Sequence, residues 1–176
     1  MEFNKLVETR RSIRCYAEGG NPDAEAVRQM ISCALEAPSW KNSETGRYYV
    51  AIDGELRRAV DECLPEFNRN SSKNAAYVVT AFEKGIAGFN TPDQPTNELG
   101  NEWGAYDLGL QNAYFCLKAR ELGYDTLIMG IRDATGLRKV FSIPDSQEVV
   151  AVLAVGKKSK DPGKPTRKCV SEVSNL

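Results

Sequence analysis

The stretch "NEWGAYDLGLQNAYFCLKAREL", residues 101–122, constrains the fold more than any other part of the chain. It has no proline, it runs into Gly123 as a plausible residue just past a helix end, and its apolar side chains go most of the way round a helix. Such a helix needs cover on more than one side, so it belongs at the centre of a domain or at an interface between subunits. A chain of 176 residues can supply that cover, because folding at this length buries roughly 70% of the surface of the unfolded chain.

The rest of the sequence reads as the covering elements. Phe3, Leu6 and Val7 predict a short helix over residues 2–9. "GGNPDAEAVRQMISCALEA" predicts a second, with Asn21 as N-cap, Pro22 in the first turn, a stripe of Val27, Met30, Ile31, Ala34 and Leu35, and Pro38 closing it. "RYYVAI" (47–52), "AAYVVTAF" (75–82), "DTLIMG" (125–130) and "EVVAVLAVG" (148–156) read as strands. A helix over "ELRRAVDECLPEF" is expected to turn Leu56, Val60, Cys63, Leu64 and Phe67 inward, and a short helix is expected around "ATGLRKVF". Residues 85–100, rich in Gly, Pro, Asn and Thr, read as a loop. No repeat or linker divides the chain, so a single domain over residues 1–176 is expected. The irregular order of helices and strands favours the α+β class.

Composition removes several kinds of function. Lys+Arg 23 against Asp+Glu 24 leaves a net charge of −1, so no overall field draws the chain to nucleic acid or to an anionic membrane. No apolar run reaches the roughly 18 residues of a membrane span, and "MEFNKLVETRR" lacks the pattern of a signal peptide. Five cysteines, odd in number and never CxxC, read as reduced thiols in a cytoplasmic protein. The absence of histidine removes Ser-His and Cys-His pairs and most catalytic zinc sites. Any chemistry falls to other groups or to a cofactor.

Three segments carry candidate chemistry. "ETRRSIRCY" places Arg10, Arg11 and Arg14 within five positions. They can satisfy a helix C-terminus, or they can hold a phosphate with Ser12 through the forked geometry of arginine. With neither GxGxxG nor a Walker A loop, a phosphate here is gripped by side chains alone. "EAPSWKNSETG" (36–46) is a polar turn, except that it carries Trp40, and an exposed indole covers a partner chain or a planar ligand. "MGIRD" (129–133) ends an apolar strand at Gly130, where a ligand can approach the backbone closely or where the strand simply turns into a helix.

Taken in order, "RRSIRCY", "APSWKNSE", "EWGAYDLGLQNAYFCLKARELGYDTLIMG", "VFSIPDSQEVVAVLAVGK" and "PTRK" resemble the nitroreductase family of FMN-dependent oxidoreductases over nearly the whole chain. The resemblance implies a mixed sheet flanked by helices and an intertwined homodimer with FMN at its interface. It implies a ping-pong transfer of hydride from NADH or NADPH to a nitroaromatic, quinone or similar acceptor. Arg10 and Ser12 would face the phosphate or ribityl chain, Arg14 the N1–C2=O edge, and Arg167 the phosphate from the tail. Arg11 would join them or face solvent. Pro38, Ser39, Trp40 and Asn42 match the segment that the other subunit lays over the flavin, Asn68 a pyrimidine-side amide, and Met129 and Gly130 the backbone beside the ring. The family motif has Gln-Pro-Trp where this chain has Glu44, Thr45 and Gly46, and Trp40 stands at a position usually small, narrowing the space above the flavin. A specialised member acting on one metabolite, or a non-catalytic flavin store, are the alternatives.

Overall fold

The strand Ala76–Glu83 is apolar on both faces because both faces are covered, and the architecture follows from that. The computed structural model describes residues 2–91 and 94–176. In chain order the elements are α1 (Phe3–Thr9), α2 (Ala24–Leu35), β1 (Gly46–Ala51), α3 (Gly54–Glu62), α4 (Glu66–Ser71), β2 (Ala76–Glu83), β3 (Phe89–Thr91), β4 (Gln94–Pro95), α5 (Glu102–Glu121), β5 (Asp125–Met129), α6 (Ala134–Phe141) and β6 (Gln147–Gly156). One sheet has the order β1-β2-β6-β5, and all three of its ladders are antiparallel. The mixed sheet that the resemblance implied is therefore corrected. Among the described residues, parallel pairing is confined to an isolated bridge between Ser12 and Thr126.

Tyr77, Val79 and Ala81 of β2 pack into one core with Val60, Leu64 and Leu137 from the α3 and α6 side. Val78 faces the other core, built on Val27, Met30 and Phe115 of α2 and α5. The period of two is interrupted once. Thr80 pairs with Ala151 and Ala81 with Val149, so Val150 is an extra residue in β6. That bulge explains why Val149 shares a core with Val152, an odd spacing for a regular strand.

α5 buries one face, from Gly104 and Leu108 to Phe115 and Ala119, and leaves Tyr106 and Tyr114 exposed on the other. Gly104 lies on the Phe82 ring, where a β-carbon would come within 2.3 Å of it. Gly123, at φ +86°, follows the end of α5 as expected. No helix among the described residues is long and apolar enough to cross a membrane.

Three local expectations are corrected. The N-cap of α2 is Asp23, whose carboxylate accepts from the Ala26 N–H at 2.7 Å; the Asn21 amide instead donates to Ile52 O at 3.2 Å. The helix expected over residues 55–67 breaks at Pro65, which offers no N–H to continue it, and the chain restarts as α4. Leu56 and Phe67 consequently face solvent, while Val60, Cys63 and Leu64 point inward. The 85–100 loop contains the β3/β4 hairpin; positions 92 and 93 within it lie outside the described residues.

Candidate functional site

After α1 the chain turns extended, and this sets where its arginines point. Arg10 has φ −60° and ψ 130°. Ile13 donates its N–H to Thr126 O at 3.0 Å and is buried, and Tyr16 bridges to Lys158. In an extended segment alternate residues share a side, so Arg10, Ser12 and Arg14 fall together, opposite Ile13. The tail arrives beside them through main-chain pairing: Ala17 N–H to Lys157 O at 2.8 Å, Lys157 N–H to Gly20 O at 2.8 Å, and Ser159 N–H to Cys15 O at 3.0 Å. Pro162, Gly163, Pro165 and Arg167 then form the far wall of a cleft of about 410 Å³, with Arg10, Arg11, Ser12 and Arg14 on the near side.

The four arginines of this cleft divide into two roles. Arg11 donates to Glu8 O and Arg10 O, closing the C-terminus of α1. Arg10, Arg14 and Arg167 have no side-chain hydrogen bond or ion-pair partner among the described residues. Arg47, Arg120 and Arg138 elsewhere in the chain are each paired with a carboxylate. Three uncommitted guanidiniums therefore converge on one hollow. A second cleft, of about 430 Å³, shares Arg10 and Ser12 and continues over the apolar side chains of Val7, Ala113, Leu117 and Ile128. Cys116 also lines it; burial pushes its thiol pKa up, against the opposing effects of Thr126 and Arg10.

The end of β5 lies close by. Met129 is buried and Gly130 exposed, with open space where a β-carbon would stand. Arg132 donates to Gly130 O at 2.9 Å and to Val149 O, which fixes this turn. Asn68, buried on α4, donates its amide to Ile131 O at 2.9 Å. Its side chain thus supports the loop after β5 from below.

Trp40 and Lys41, within the 38–42 segment, line a different hollow from the arginines. Trp40 is half-buried, which corrects the expected exposed indole, and its ring lies 4.9 Å from that of Trp103. The Trp40 N–H donates to Asp107 Oδ2 at 2.8 Å, and the Glu44 N–H to Ser39 Oγ at 3.2 Å. Lys41, Asn42 and Glu44 all have positive φ, between 48° and 54°, left-handed positions on either side of Ser43 that cost energy in residues with a β-carbon. The turn closes a hollow of about 330 Å³ with Ile86, Phe89 and Asn90 of the β3/β4 region. The Trp40 indole N–H is buried without an acceptor among the described residues.

Two residues of this region were not singled out in the sequence. Asp107 is buried beneath the Trp40 turn, and burial raises its pKa against the lowering effect of the Trp40 N–H. Trp103 sits one turn earlier on α5 and donates to Asn97 Oδ1 at 3.0 Å. The available signal was a carboxylate on the buried face that Gly104, Leu108 and Gln111 also occupy.

The antiparallel α+β fold thus carries a basic cleft, built from side chains, that meets a more apolar one at Arg10 and Ser12. The model of the Nitroreductase family matches residues 7–157, and the chain belongs to that family of oxidoreductases. MhqN of Bacillus subtilis (strain 168), provisionally named an NAD(P)H nitroreductase, is 25% identical over 199 aligned positions that cover 97% of this chain and 97% of its own. A protein of Archaeoglobus fulgidus, provisionally named NADH dehydrogenase/NAD(P)H nitroreductase, is 26% identical over 159 positions, covering 88% of this chain and 84% of its own. A solved structure from Exiguobacterium sibiricum 255-15, a provisionally named nitroreductase in complex with FMN, superposes with a TM-score of 0.87 at 21% identity over 100% of this chain and 97% of its own.

Proposed function

We propose that this chain is an FMN-dependent NAD(P)H oxidoreductase in which the hydride donor and an electron-poor acceptor, a nitroaromatic or quinone, use one site in turn. The observation that carries the reading is the convergence of Arg10, Arg14 and Arg167, none of them with a side-chain partner among the described residues, on a cleft that continues into an apolar one at Arg10 and Ser12. The donor set suits the cofactor: guanidinium forks and a hydroxyl for a phosphate close to two negative charges, and aliphatic walls for a flat ring system. When bound, FMN supplies two-electron hydride chemistry, which accords with a chain that has no histidine.

In this reading Arg10, Ser12 and Arg167 hold the phosphate end, and Arg14 sets a fixed positive charge beside the ring edge where negative charge accumulates. Asn68 and Arg132 fix the Met129–Ile131 backbone against which the ring lies. Pro38, Ser39, Trp40 and Asn42 are not among the residues that line either cleft at Arg10 within one chain, so their part in the site requires a second copy. The exposed Tyr106 and Tyr114 on α5 offer an apolar face for that copy. We therefore read the active form as a cytoplasmic homodimer of single-domain chains.

Purified protein should be yellow, release FMN on denaturation and oxidise NADH or NADPH when given menadione. It should sediment as a dimer at micromolar concentration, and Tyr114→Glu should shift it toward monomer. A colourless protein that takes up no added FMN sinks the cofactor assignment. Bound FMN with negligible turnover across nitroaromatic and quinone acceptors would favour a storage role.

A further inference from the structure

We propose a second small-molecule site, for a phosphate-bearing ligand, in the cleft between α3, α4 and the 19–21 segment. This cleft measures about 680 Å³ and shares no residue with the two that meet at Arg10, so the inference does not rest on the flavin reading. Its volume is in the range of pockets that enclose a whole ligand, about 300–1,000 Å³.

Three cations line it: Arg57 from α3, Arg69 from α4, and Lys73 just beyond α4. None has an ion-pair partner among the described residues. The single carboxylate in the lining, Asp61, has Oδ1 engaged by the Tyr77 O–H at 2.6 Å. The hollow therefore carries three positive charges against one negative in a chain whose net charge is −1.

A solvated surface patch would have three mobile side chains. Arg57 differs, because its orientation is already fixed. Its Nε–H donates to Ala75 O at 2.7 Å, and its guanidinium carbon lies 5.1 Å from the centre of the Tyr77 ring. Both Nη groups are left without an acceptor among the described residues. A fork tethered at Nε and held beside an aromatic ring has given up rotamer freedom before any anion arrives, and its two Nη groups are of the kind a phosphate takes in bidentate fashion. Lys73 and Arg69 add flexible charges around it. The carboxamides of Asn70 and Asn74, which make no side-chain hydrogen bond among the described residues, can serve hydroxyl groups on the ligand's body. Fixed fork, surplus charge and a hollow large enough for a whole ligand together select a phosphorylated, hydroxyl-bearing small molecule. Nucleic acid would need an open basic stripe rather than a hollow.

The test is calorimetric titration of the full chain, loaded with FMN and then freed of unbound flavin by gel filtration, using inorganic phosphate, adenosine 5′-monophosphate and adenosine. The nucleotide should bind saturably and adenosine at least 10-fold more weakly. Arg57→Gln and Lys73→Gln should each weaken the nucleotide by roughly 10-fold or more, the span of a lost charge-assisted hydrogen bond. Arg10→Gln should leave it unchanged. Lys73 is exposed, so its variant keeps the test valid if loss of the Arg57 bond to Ala75 impairs folding. Inorganic phosphate binding as tightly as the nucleotide, and with the same dependence on Arg57 and Lys73, supports the site and assigns it to the free anion. No saturable heat from either phosphate probe overturns the proposal, as does binding that responds to Arg10→Gln but not to Lys73→Gln. A chain that takes up no FMN yet binds the nucleotide through Arg57 and Lys73 leaves this site standing and removes only the flavin reading.

Discussion

The main-chain N–H of Trp40 donates to Asp107 Oδ2 at 2.8 Å, tying a strained turn to the middle of the buried helix α5. The carboxylate is buried, and burial raises its pKa above the ordinary value, so the folded state favours the protonated form. The stability this group contributes is fully present below its unfolded pKa and is lost as pH rises through the higher folded value. Asp107→Asn keeps an acceptor for the Trp40 N–H and removes the charge. It should melt close to wild type at about pH 4 and above wild type at pH 7. Asp107→Ala should instead leave a buried N–H unpaired, costing about 1–3 kcal/mol at either pH. Melting curves across pH 4–8 check both, and an Asn variant less stable than wild type at pH 7 contradicts the argument.

The arginines of the basic cleft should separate by role. Arg11 serves the end of α1, so Arg11→Ala should lower the melting temperature of flavin-free protein by about 2–4 °C, the equivalent of about 1 kcal/mol in a chain of this size, and leave flavin affinity unchanged. Arg10→Ala and Arg167→Ala should do the reverse: no change in flavin-free stability, and FMN bound about 10- to 150-fold more weakly. Arg14→Ala should lower the flavin reduction potential, by about 30 mV for every 1.4 kcal/mol lost from the reduced form. Equal FMN affinity in wild type, Arg10→Ala and Arg167→Ala would end the phosphate-cleft assignment.

Gly104 is required by packing and not by its backbone angles. A β-carbon there would meet the Phe82 ring at 2.3–2.9 Å, and both residues lie in the interface of α5 with β2. Gly104→Ala gains up to about 1 kcal/mol of helix propensity but overpacks a filled contact, at about 1–3 kcal/mol. The net expectation is a melting temperature lower by a few degrees. Gly109 in the same helix has nothing within 4 Å, so a loss at Gly104 larger than at Gly109 in flavin-free protein is the measurement that isolates the Phe82 contact.

Much of this fold was legible because its signals are local. The two-sided burial of β2 and β6 shows as unbroken apolar runs, and α5 as a helix with little polar face. The errors came from competition between neighbours. Asn21 and Asp23 both suit an N-cap, and the choice depended on Ile52, thirty-one residues away, claiming the Asn21 amide. The run through Pro65 has helical periodicity on both sides, so its apolar pattern hid the break. Of the candidate site, the period-two spacing of Arg10, Ser12 and Arg14 was visible, and the resemblance supplied Arg167. The distinction between a capping Arg11 and uncommitted neighbours was not visible, because it depends on which carbonyls an extended chain leaves within reach. Asp107 was hidden for the same reason: its partner, Trp40, is 67 positions away.

The Trp40 and Trp103 rings meet at a tilt, with 48° between their planes, yet their indole N–H groups differ, and that difference separates structure from function. Trp103 donates to Asn97 Oδ1 at 3.0 Å, which pins the loop before α5. Trp40 Nε1 is buried without an acceptor among the described residues, although its ring helps to close the 330 Å³ hollow beside Phe89 and Ile86. Phenylalanine at either position retains the aromatic pair and removes only the N–H and part of the ring area. Trp103→Phe should therefore lose a hydrogen bond worth about 0.5–1.5 kcal/mol and melt lower, with relative acceptor rates unchanged. Trp40→Phe gives up no protein hydrogen bond and should melt closer to wild type, but it widens the hollow and should raise rates for bulky quinones relative to small ones. Melting temperatures together with rate ratios over a graded quinone panel test the pair. If Trp40→Phe leaves those ratios at the wild-type values, the indole is packing for Trp103 and does not shape the site.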